Sequence, residues 1–118
     1  MKAIFHINEL SKWKTTFNSS MNAIDVAALR NEVPEIYIIA NADAVKIMVP
    51  EDEETEIQRK RIFQAIEKGV KIRFCRKAME LRNIELPADL EKAGCETVLS
   101  SAITMIDLQA EGFAYIKS

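Results

Sequence analysis

Residues 70–83 read Val70-Lys71-Ile72-Arg73-Phe74-Cys75-Arg76-Lys77-Ala78-Met79-Glu80-Leu81-Arg82-Asn83, or VKIRFCRKAMELRN. Val70, Ile72 and Phe74 alternate with Lys71 and Arg73, the two-residue period of a β-strand. From Cys75 onward the alternation stops, and Ala78, Met79 and Leu81 fall where a helix could pack them. A strand that passes straight into a helix is the repeating unit of an α/β protein, so the fold depends on whether the rest of the chain repeats it.

It does. Lys2–Ile7 (KAIFHI) is short and mostly apolar, and reads as a strand buried on both faces. Leu10, Trp13, Phe17, Met21, Ile24 and Ala28 then recur at helical spacing, which predicts a helix from about Ser11 to Leu29 capped by Asn8 or Ser11. Pro34 closes that segment, and EIYIIA (Glu35–Ala40) is a second buried strand. NADAVKIMVP reads as one turn of helix. The acidic run EDEETE then opens a helix whose apolar face is Ile62, Phe63 and Ile66 and whose end is marked by Gly69. Thr55 and Gln58 have the spacing of a capping box there. That charge run is the solvated face of a helix.

After the third strand and its helix, Pro87 to Ala93 is a loop or short helical piece. ETVLS (Glu96–Ser100) is a fourth strand, SAITMIDLQAE a helix ended by Gly112, and FAYIK (Phe113–Lys117) a fifth strand. Strands alternating with helices predict a three-layer α/β/α sandwich on a five-stranded, mainly parallel sheet with right-handed crossovers. The length of 118 residues fits one domain spanning 1–118. At that size a chain hides roughly 65% of the surface its unfolded form exposes.

Composition narrows the function. Hydrophobic residues are 48% and charged residues 29% of the chain, which is ordinary for a folded protein, and the net charge of −2 supplies no cationic field for nucleic acid. The apolar start is broken by His6, Asn8 and Glu9 before it reaches signal-peptide length, and no run is long enough to span a bilayer. The expectation is a cytoplasmic protein with no membrane partner. Gly69, Gly94 and Gly112 are isolated, so no phosphate-cradling loop is present. Cys75 and Cys95 form neither a C-x-x-C pair nor half of a zinc site, and in a reducing compartment both stay thiols.

Chemistry in an open α/β sheet gathers beyond the carboxyl ends of its strands, and Cys75 is at such an end. It also stands at the start of a helix, with Arg73, Arg76 and Lys77 nearby, and both influences favour the thiolate that acts as nucleophile. The competing reading is a small buried hydrophobe. Cys95 lacks flanking bases and has Glu91 and Glu96 near it. His6, the sole histidine, reads as a satisfied core or edge residue rather than a metal ligand. Trp13 and Met21 read as core. Asn41 and Asp43 follow the second strand in a site-like location that turn and cap duty explains equally well. Cys75 is thus the candidate catalytic residue, and Arg76, Lys77 and Asn41 the candidate substrate-binding residues; no metal or organic cofactor is implied.

VKIRFCRKAMELRNIEL, the opening KAIFHINELSKW, the IANADAV turn and the closing LQAEGFAYIKS together resemble the small single-domain members of the DsrE/DsrF-like family. The resemblance implies a three-layer domain that assembles into homotrimers or hexamers. It also implies that the cysteine matched by Cys75 accepts sulfur as a persulfide and passes it on. Small members of that family often read Cys-x-Asn-Ser/Thr, and here Lys77 and Ala78 take the places of the Asn and the Ser/Thr. Two functions compete: a sulfur carrier or sulfurtransferase-like protein working with donor and acceptor proteins, or a non-enzymatic oligomeric module that binds a small ligand and in which Cys75 only lines the wall.

Overall fold

The computed structural model describes residues Met1–Ser118. The chain runs β1 (Lys2–Ile7), a 3-10 turn (Leu10–Lys12), α1 (Trp13–Leu29), β2 (Glu35–Ala40), a 3-10 segment (Ala42–Met48), α2 (Glu53–Glu67), β3 (Lys71–Cys75), α3 (Arg76–Leu81), α4 (Ala88–Ala93), β4 (Glu96–Val98), α5 (Ser101–Ala110) and β5 (Ala114–Lys117). The five strands form one sheet in the order β4-β3-β2-β1-β5. Every pairing is parallel.

That order divides the chain into two runs. From β1 to β4 the strands are added in one direction, and α1, α2, α3 and α4 lie on one face. The single step from β4 back to β5 beside β1 reverses direction and carries α5 across the other face, as right-handed crossovers require. The first face holds the larger core: Phe5, Ile7, Ile38, Ile72 and Phe74 pack against Trp13, Phe17, Ile62 and Ala65. Trp13 is fully buried there, and its Nε1–H donates to the Ala44 carbonyl at 2.9 Å. The second face holds a smaller one, in which Ile4 and Ile39 meet Met105, Leu108 and Phe113.

Several local expectations change in the structure. The α-helical part of the first helix starts at Trp13, behind the 3-10 turn, and neither Asn8 nor Ser11 caps it. Asn8 instead accepts from Lys117 Nζ at 2.9 Å. The buried seam of α1 includes Thr16 and Ser20 beside Phe17 and Ala27, and leaves Ala28 exposed. Both hydroxyls donate to the carbonyl four residues back, at 2.8 Å, so two polar residues are buried at no loss of hydrogen bonding. Asp52, not Thr55, caps α2: its Oδ1 accepts from the Thr55 N–H at 2.7 Å. Thr55 and Gln58 lie inside the helix. The fourth strand is cut to Glu96–Val98 because Leu99 turns out to solvent and Ser100 becomes the cap of α5, its Oγ accepting from the Ile103 N–H at 3.1 Å. The fifth strand begins after Phe113, which drops into the smaller core.

Candidate functional site

At the carboxyl end of the sheet, β3 continues into α3 on one face while β4 continues into α5 on the other. Two neighbouring strands whose continuations part in this way leave a crevice between them, the place where open α/β sheets bind and react. Cys75 ends β3 and Ser101 opens α5, one from each lip of that crevice.

The strand register decides what else meets there. His6 pairs with Ile39, and Ile39 with Arg73, so these residues share a face of the sheet, as does Cys75 two residues further on. It is the face covered by α5. Tyr115 pairs with Ile4, one pleat before His6, and therefore lies on that face too. Asn41 follows β2 directly, and the next residue, Ala42, takes the left-handed conformation at φ 48°, which turns the chain sharply into the 3-10 segment.

These side chains are joined in series. Asn41 Nδ2 donates to Ser101 Oγ at 3.1 Å, and Asn41 Oδ1 lies 3.0 Å from His6 Nε2. With the amide oxygen toward the ring, Nε2 must carry the imidazole proton, and Nδ1 is left to accept from the Tyr115 hydroxyl. Burial is the main influence on His6 and lowers its pKa, with Lys117 acting in the same direction against the bond to Asn41. The neutral ring that this order of donors needs is therefore the favoured one near neutral pH.

The sulfur of Cys75 is shallowly covered, the residue being 7% exposed. Burial alone would raise its pKa. Main-chain N–H groups of Ala78, Ser101 and Lys77 and the Ser101 hydroxyl lie toward the sulfur, and together these donors outweigh burial and hold the thiol below its ordinary value. Cys95 differs in kind. It lies 1% exposed at the start of β4, and burial pushes its thiol up to about 11 despite the nearby guanidinium groups of Arg73 and Arg59.

The flanking bases take other places than the sequence suggested. Arg73 pairs with Glu96 at 2.8 Å and lies over the Tyr37 ring, while Arg76 donates to Thr97 Oγ1 at 3.2 Å. Lys77 is exposed, its ammonium in no ion pair, and it faces the sulfur through its backbone N–H. The lowering at Cys75 thus comes from uncharged donors rather than from cationic side chains. Asp43 is engaged by Arg82, whose Nη2 lies 2.9 Å from it, and so tethers α3 to the 3-10 segment. Of the candidates, the structure brings Asn41 and Cys75 to one crevice through Ser101, and directs the side chain of Arg76 to Thr97.

Ser101 and Tyr115 were not singled out by the sequence, and His6 was read there only as a satisfied core or edge residue, which its two hydrogen bonds bear out. Ser101 could have been, since it follows the carboxyl end of a strand as Cys75 does. His6 and Tyr115 needed the register. The cavities of the chain lie elsewhere, none of them lined by Cys75, Ser101, Asn41 or His6, and the most enclosed is between Leu10, Val49, Thr55, Arg82 and Ile84. It contains no thiol and none of the series described above, and the chemistry of the crevice outweighs its shape.

Comparison with family models matches residues 2–118 to the DsrE/DsrF-like family. The chain belongs to that family. Among solved structures, the DsrE/DsrF-like chain is similar to MTH1491 from Methanobacterium thermoautotrophicum, a protein of unknown function. The TM-score is 0.76 with 21% identity, over 99% of this chain and 98% of that one. BT1422 from Bacteroides thetaiotaomicron, a conserved protein of unknown function, follows at TM-score 0.68 and 19% identity, over 99% and 94%. The ychN protein from E. coli superposes at TM-score 0.62 and 15% identity, over the whole of both chains. At these identities the likeness is one of fold. A comparison with curated proteins gives no match. The DsrE/DsrF-like fold accounts for the parallel sheet and its helices, and the family is linked to sulfur relay. Lys77 and Ala78 bring no amide or hydroxyl beside the cysteine, and those groups reach its neighbourhood from Asn41 and Ser101.

Proposed function

We propose that the chain is a single domain that carries sulfane sulfur on Cys75, receiving it from a donor persulfide and passing it to an acceptor thiol. The observation that supports this most is the contrast between two covered thiols in one small chain. Only the one in the crevice is surrounded by donors that favour its anion. The Cys75 thiolate attacks the outer sulfur of a donor R–S–SH; a new S–S bond forms, the old one breaks, and the donor leaves as R–S⁻. Discharge repeats the step in the opposite sense, with the acceptor thiolate attacking the outer sulfur and the Cys75 thiolate leaving. Each exchange conserves electrons, so neither a metal nor an organic cofactor is required. The N–H groups and the Ser101 hydroxyl stabilise Cys75 as the attacking anion and again as the leaving group.

The chain acts as a homo-oligomer in this reading, a trimer or hexamer. The support is the outer surface of α5 and β5: Leu99, Ile103 and Ile106 are more than half exposed, and Tyr115 and Ile116 stand open on the edge strand. No helix is long and apolar enough to cross a membrane. The test is intact-mass spectrometry after exposure to a small-molecule persulfide donor. Wild type and Cys95→Ser gain one sulfur, and Cys75→Ser gains none. A Cys75→Ser protein that still gains sulfur would replace the carrier by a ligand-binding module.

A further inference from the structure

Four side chains drawn from four separate elements stand in series behind the sulfur, and each has its donor aimed the same way. Tyr115 O–H points to His6 Nδ1, His6 Nε2–H to Asn41 Oδ1, and Asn41 Nδ2–H to Ser101 Oγ. Because Ser101 Oγ already accepts from Asn41, its own hydrogen is free to turn to Cys75. We infer that Asn41 and His6 are positioning residues which, anchored by Tyr115, orient the Ser101 hydroxyl as a donor to the Cys75 sulfur and so set how readily that thiol reacts.

The direction of the series carries the argument. A serine hydroxyl can rotate, and without Asn41 it could donate to another acceptor and turn a lone pair to the sulfur. An amide has a fixed donor end and a fixed acceptor end, and the neutral imidazole beyond it leaves the amide one orientation. Hydrogen bonds in such a chain strengthen one another, so the proton nearest the sulfur becomes a better donor as the sulfur gains charge. The titratable and charged groups around His6 are Tyr115 and Lys117 of β5; both are compatible with a ring that stays neutral. The outer end of the series is at the edge strand, where Tyr115 is 43% exposed. A second subunit on that edge would therefore touch the same chain of bonds that ends at the thiol.

The inference rests on Cys75 being the reactive thiol of the proposed function, and the experiment separates the two. The alkylation rate of Cys75 is followed against pH in a Cys95→Ser background, for the parent and for Ser101→Ala, Ser101→Thr, Asn41→Asp and His6→Ala, with circular dichroism as a check on folding. Ser101→Ala moves the midpoint up by on the order of one pH unit, about a tenfold loss of rate at neutral pH, and Ser101→Thr restores it. Asn41→Asp, close in shape but with no N–H to give Ser101, shifts it in the same direction, and His6→Ala shifts it less. Profiles for Ser101→Ala and Asn41→Asp that superimpose on the parent's would overturn the inference while leaving a reactive Cys75 intact. A parent whose Cys75 titrates like a free thiol would remove the carrier reading and the inference with it. Should Ser101→Ala fail to fold, Asn41→Leu decides, since it removes the N–H donor to Ser101 without adding the charge that would itself raise the thiol.

Discussion

Cys75 and Cys95 stand at opposite ends of two adjacent parallel strands, both covered by protein, and their thiols are displaced in opposite directions. Cys75 ends β3 among N–H and O–H donors and is held low; Cys95 precedes β4, buried, and is pushed up to about 11 against the pull of two guanidinium groups. Burial acts on both in the same sense but more strongly on Cys95, so the difference is made by that depth together with the polar donors around Cys75.

Selective modification follows. At neutral pH one equivalent of an alkylating reagent goes to Cys75, and Cys95 reacts only when the chain is unfolded. Peptide mapping of the first equivalent checks this, and label on Cys95 in the native protein would contradict it.

Cys95 also makes folding sensitive to alkali. Its folded pKa is raised, so its contribution to stability is whole below the pKa of the unfolded thiol, near 8.5. The contribution is lost as pH climbs toward about 11. Cys75 is lowered and acts in the opposite sense, its contribution being present above the unfolded value and lost as pH falls through the folded one. In a Cys75→Ser background, stability should therefore decline by on the order of 2 kcal/mol between pH 8 and 11, and Cys95→Ala should flatten that decline. Urea midpoints across the range measure it.

Ala42 carries strain that glycine would not. At φ 48° an alanine Cβ crowds its own backbone. Ala42→Gly should raise stability by about 0.5–1 kcal/mol, the relief of that crowding less the larger entropy of the unfolded glycine. A lower melting temperature would show that the turn after Asn41 is held by something other than its backbone conformation.

The outer face of α5 tests assembly. Ile103 and Ile106 are 56% and 59% exposed, so replacing both with Glu should leave the fold of one chain nearly unchanged. Light scattering on the wild type should give a multiple of 13.4 kDa, and on the double variant 13.4 kDa itself. A wild type at 13.4 kDa would remove the oligomer.

Much of this architecture was legible because its signals are local. Apolar strands without alternation announce a sheet buried on both faces, and the passage from VKIRF to CRKAMEL announces a strand that hands on to a helix. The family resemblance reached the same fold by another route. Errors fell where a residue's role depends on distant partners. Thr16 and Ser20 are polar by type yet buried, because each satisfies its hydroxyl on its own helix. Thr55 and Gln58 have capping spacing, yet Asp52 reaches the free N–H first. For the site, Cys75 could be found from its place at a strand end, and so could Asn41. His6 could not be joined to them, since its position along β1 is visible in the sequence but its register against β2, β3 and β5 is not. Arg73 and Arg76 sit beside the thiol in sequence, while their side chains reach Glu96 and Thr97.

The central claim is that sulfur bound at Cys75 is in transit. The most direct measurement loads the protein with isotopically labelled sulfur from a persulfide donor, locates the label by peptide mapping, and then adds an acceptor thiol. The account predicts label on the peptide containing Cys75, none on that containing Cys95, and its quantitative transfer to the acceptor with return of a free Cys75 thiol. Label that never reaches Cys75, or that stays there when the acceptor is added, would contradict it.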